Sequence, residues 1–67
     1  MSNKPYYVLV IKGPDSNWGV EFGDYERETV EFEQMTYEDT GYYTKIIRTT
    51  EDQKSIDLAV SQLNNNN

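Results

Sequence analysis

The chain contains no cysteine and no histidine. The first absence excludes disulfides and thiolate metal sites. The second removes the commonest general base and the commonest metal ligand. A hard cation held by oxygen ligands is the one metal chemistry left, and the D-x-[DN]-x-[DN]-G loop that calcium sites often use is missing. There is no phosphate-binding glycine loop and no serine with a histidine partner. Carboxylates are abundant, but hydrolysis by a carboxylate pair needs a cleft between them, and 67 residues leave little room for one. The expectation is a protein without catalytic activity, cofactor or metal. The longest apolar run, Val8-Leu9-Val10-Ile11, is far too short to cross a bilayer. Met1 to Pro5 does not read as a signal peptide, and a cytoplasmic location is expected.

What is present is aromatic and acidic. Six tyrosines, two phenylalanines and one tryptophan suit a small core, because rings bury a large area per residue. Twelve acids face six bases, for a net charge of −6. Nine of the acids lie between Asp15 and Asp39, where Arg27 is the only base. That imbalance disfavours direct contact with nucleic acid and with anionic membranes.

Residues 5–12 are β-branched and aromatic throughout and read as a strand apolar on both faces. A turn over 13–17 leads to Trp18, Val20 and Phe22, which alternate as a second strand with one buried face. Gly23 should break the strand and Asp24 should cap a helix from about Tyr25 to Asp39, with Gly41 as its stop. Tyr25, Thr29, Phe32, Met35 and Thr36 would then face inward, with Val30 and Tyr37 on the far side. Residues 29–33 also alternate like a short strand; the helix is preferred for its caps and sustained spacing. Residues 42–49 form a third strand. Thr50 and Gln53 suggest a capping box, and Ile56, Ala59, Val60 and Leu63 form a helical stripe ending near Leu63. Residues 64–67 read as a frayed polar tail.

The order β-β-α-β-α in one domain predicts an α+β sandwich of two layers. A three-stranded antiparallel sheet of order 2-1-3 would carry both helices on one face. The first strand would then expose an apolar face, and such faces mark interfaces. Which face is outward stays open. The candidate interface comprises Tyr7, Leu9, Ile11, Val30, Tyr37 and Tyr43. Small chains often gain stability by oligomerising, so a homodimer or a host protein is the expected partner.

The stretch Trp18 to Glu28 raises a separate question, whether it is a recognition site or a strand-to-helix joint. Every residue in it has a local structural use, Arg27 pairing with Glu31 four residues on, so the joint is preferred. The pattern W-x-x-x-FGDYxR, then KIIR at 45–48 and I-D-x-A-V-x-x-L-N at 56–64, resembles small proteins encoded by bacteria and their phages. The resemblance covers Trp18 to Asn64 and implies a bacterial or phage setting and nothing catalytic. An alternative function follows from charge. Glu26, Glu31, Glu33 and Glu38 could stand in for phosphates, making the chain an acidic DNA mimic that blocks a nucleic-acid-binding protein. The plainer reading of these acids is a solvated helix face. Stacking of nucleic-acid bases on Tyr6-Tyr7 or Tyr42-Tyr43 is disfavoured by the surrounding negative charge.

Overall fold

The computed structural model describes residues 4–65. The fold is α+β, with β1 (Tyr6–Lys12), β2 (Gly19–Asp24), α1 (Arg27–Met35), β3 (Tyr43–Thr49) and α2 (Gln53–Asn65). The three strands form one antiparallel sheet in the order β2-β1-β3. The apolar strand is central, as its composition requires. Residues 29–33 are helical.

The helices are not on one face. Val8, Leu9 and Val10 are consecutive in β1 and all are at most 1% exposed. Side chains alternate between faces along a strand, so such burial requires cover on both. Ile56 of α2 packs with Val8 and Val10, supported by Tyr6, Trp18, Ile47, Val60 and Leu63. Fully buried Leu9 and Val30 lie outside that cluster. Arg27 of α1 lies over the ring of Tyr7, 5.9 Å from its centroid. Gln34 donates to the Thr44 hydroxyl at 3.1 Å, and Thr44 pairs with Ile11. Thus α1 covers the Tyr7-Leu9-Ile11 face and α2 covers the Tyr6-Val8-Val10 face. The protein supplies from its own chain the second cover that the sequence reading assigned to another molecule.

Three local departures explain the rest. Leu9 pairs with Phe22 and Val10 with Val20, which leaves Glu21 as an extra residue, a β-bulge. The bulge breaks the expected alternation and sends Phe22 and Val20 to opposite faces, leaving Val20 half-exposed. Gly23 continues β2 rather than breaking it, because the Tyr6 ring lies over it; an added Cβ would sit 2.6 Å from the Tyr6 hydroxyl. Asp24 is accordingly a strand residue. The helix cap falls to Glu26, which makes no side-chain capping bond. Beyond Met35 the chain continues in tight i to i+3 turns to Thr40, and Gly41, at φ +89°, releases it into β3.

At the second helix the cap is Asp52 rather than Thr50. Its carboxylate accepts from the backbone N–H and the hydroxyl of Ser55, each at 3.1 Å. The helix runs through Asn64 and Asn65, past the expected end near Leu63. Residues 66 and 67 of the expected tail lie outside the described residues. Asn64 is a structural clamp: its Oδ1 accepts from Trp18 N–H at 2.8 Å, and its Nδ2 donates to Trp18 C=O at 3.3 Å. These bonds join the end of α2 to the start of β2. Asn64→Ala should lower stability by about 1–3 kcal/mol, since it strands two half-buried backbone groups. Urea unfolding of the two proteins would measure this.

Candidate interaction surface

The sequence-derived interface set divides on folding. Leu9 and Val30 are fully buried, and Tyr7 and Ile11 are half-buried beneath α1. Tyr37 is half-buried too, and its hydroxyl donates to the Glu21 carboxylate. Tyr43 alone of the six is exposed, at 63%, at the start of β3 opposite Lys12. A surface made of all six does not exist, because five of them hold α1 to the sheet.

The bond from Tyr37 to Glu21 links the turn after α1 to the bulge of β2. The Tyr37 ring also meets Tyr42 edge-on, with centroids 6.0 Å apart. The accepting Glu21 carboxylate holds the phenol proton and pushes the Tyr37 pKa up to about 12. Desolvation and the charge of Glu33 act in the same direction. A phenol whose folded pKa lies above its ordinary value of 10 adds stability below pH 10. That stability is lost as pH rises towards 12. Ultraviolet titration should show one late-ionising tyrosine, absent in Tyr37→Phe.

The acidic set also divides. Glu31 faces away from the sheet and forms a 3.0 Å ion pair with Arg27. Glu33, two residues on, is half-buried, and its charge acts on Tyr37. Glu26 caps the helix and Glu38 lies in the turns beyond it. At about 100° per residue, Glu26 and Glu31 differ by roughly 140° around the axis. The four acids therefore present no single row against a partner.

Two exposed apolar side chains sit together on α1, whereas exposed Leu58 lies on α2. Phe32 is 69% and Met35 58% exposed, and both project from the outer side of α1 with Glu28 and Glu31 around them. The sequence reading turned these two inward and Val30 outward; the structure reverses the assignment. Tyr25 is not helical, so the inward spacing that began with it loses its first member. The short link from Asp24 to Arg27 sets the rotation of α1, and Val30 reaches the sheet. The available signal was that α1 carries apolar side chains on both sides, which already required one of them to be exposed. Arg27 pairs with Glu31 and covers Tyr7, as a local reading of the Trp18–Glu28 stretch requires.

Among the described residues no helix is long and apolar enough to cross a membrane, and no three acidic side chains gather as a metal site would require. Comparison with protein-family models, with curated proteins and with solved structures finds no match.

Proposed function

We propose that the chain is a small non-catalytic protein-binding domain of the cytoplasm that docks through the outer face of α1. One observation carries the reading. Phe32 and Met35 stand exposed side by side, within a rim of Glu28 and Glu31. Aromatic and methionine side chains are the types enriched at interface centres, whereas a solvated helix face carries few. The acidic rim selects the occupant, a protein presenting an apolar pocket bordered by lysine or arginine. A second copy meeting this face with its own α1 would oppose carboxylate to carboxylate. The homodimer is therefore the weaker form of the proposal, the more so because the sheet face that suggested it is under α1. A DNA mimic is also disfavoured, since the acids point in different directions and surround apolar side chains.

The test is calorimetric titration with an amphipathic helical peptide of leucine and lysine, and with its leucine–glutamate counterpart. The lysine peptide should bind, and the Phe32→Ser/Met35→Ser protein should not bind it despite its unchanged charge. Equal binding by that variant would reduce the interaction to general charge attraction and overturn the proposal.

A further inference from the structure

The free edge of β3 has a character unlike the rest of the molecule. β3 pairs with β1 along Tyr43–Thr49 without a bulge, and among the described residues no strand lies on its other side. It contains neither glycine nor proline and no acid. Its two charges are Lys45 and Arg48, both exposed, and neither forms an ion pair with a described residue. In a chain of net charge −6 this strand is a local basic segment. Beside it runs an open apolar groove between β3 and α2, lined by Ile47, Ala59 and Leu63, with Lys45 at its rim.

We propose that the β3 edge accepts an acidic extended segment of another protein as a fourth strand of the sheet. In such strand addition the main chain supplies the hydrogen bonds and alternate side chains supply the specificity. Here apolar side chains on one face of the incoming strand would enter the Ile47-Ala59-Leu63 groove beside Lys45, and carboxylates on its other face would meet Arg48, which points to the opposite side of the sheet. Charged side chains on an edge deter pairing with a like edge. Two copies joined through β3 would place basic side chains beside basic side chains. The acidic edge of β2 is no better a partner, because it is bulged and Glu21 is engaged by Tyr37. The proposal goes beyond the α1 surface, lies on a different element and carries the opposite charge, so the two fail separately.

The probes are a short peptide alternating glutamate and valine and one alternating lysine and valine. Binding is read from backbone amide shifts across the whole chain. The glutamate peptide should move the amides of Tyr43–Thr49 and leave Phe32 and Met35 in place. Lys45→Glu/Arg48→Glu should weaken that binding about tenfold and let the lysine peptide bind instead. Absence of shifts on β3 with either peptide would overturn the proposal. So would an unchanged preference in the double variant, or β3 shifts that grow with protein concentration alone and report a second copy.

Discussion

Leu9→Ala should lower stability by about 2–5 kcal/mol, the usual cost of emptying a fully buried leucine site. At about 0.05–0.15 kcal/mol per residue, a chain of 67 residues has roughly 3–10 kcal/mol in all. The truncation would therefore remove a large share of it. Leu9→Glu should not fold, because it buries a charge between β1 and α1 with no partner. Tyr43→Glu, at an exposed position on the neighbouring strand, should stay within about 0.5 kcal/mol of the parent. The contrast separates two accounts of the central strand. If α1 covers Leu9, Leu9→Ala lowers the urea midpoint of a monomer and Leu9→Glu does not fold. If Leu9 lies on a free face, Leu9→Glu remains folded and changes the mass in solution.

The second large effect is on binding. Phe32→Ala and Met35→Ala remove exposed side chains, so each should change stability by less than about 0.5 kcal/mol. At the centre of an interface the same truncation costs about 2 kcal/mol or more, roughly a thirtyfold loss of affinity for Phe32. Charge should act differently. Glu28→Gln and Glu31→Gln should slow association and reduce its salt dependence while leaving most of the affinity in place. A surface that worked through its acids would show the reverse order, with the glutamates dominant and Phe32 dispensable.

The order of elements and of strands was legible in the sequence because it rests on composition. β1 is apolar at every inner position, β3 is rich in strand-forming types, and α2 has one clear stripe at Ile56, Ala59, Val60 and Leu63. The same composition showed that β1 needs cover on both faces. It could not show whose helix provides it, since that depends on how α1 is rotated about its axis. Val30 and Tyr37 compete there with Phe32 and Met35, and the decision lies in where the helix starts. Gly23 and Asp24 read as a break and a cap, yet Tyr6 over Gly23 extends β2 through Asp24 and delays the helix to Arg27. The bulge at Glu21 was hidden for a related reason. Gly19 to Asp24 alternates acceptably by itself, and only pairing with Leu9 and Val10 reveals the extra residue. The candidate site followed these errors: all the residues chosen for an interface except Tyr43 are buried or half-buried, and Phe32 and Met35, read as inward-facing, are exposed. Asn64 read as tail because its partner, Trp18, is 46 residues away.

Mapping of backbone amide shifts during titration with the leucine–lysine peptide tests the central claim most directly. The account predicts that the changes gather on Glu28, Glu31, Phe32 and Met35, and that they vanish in Phe32→Ser/Met35→Ser. Changes centred instead on Tyr7, Leu9 and Ile11, with α1 displaced, would contradict it.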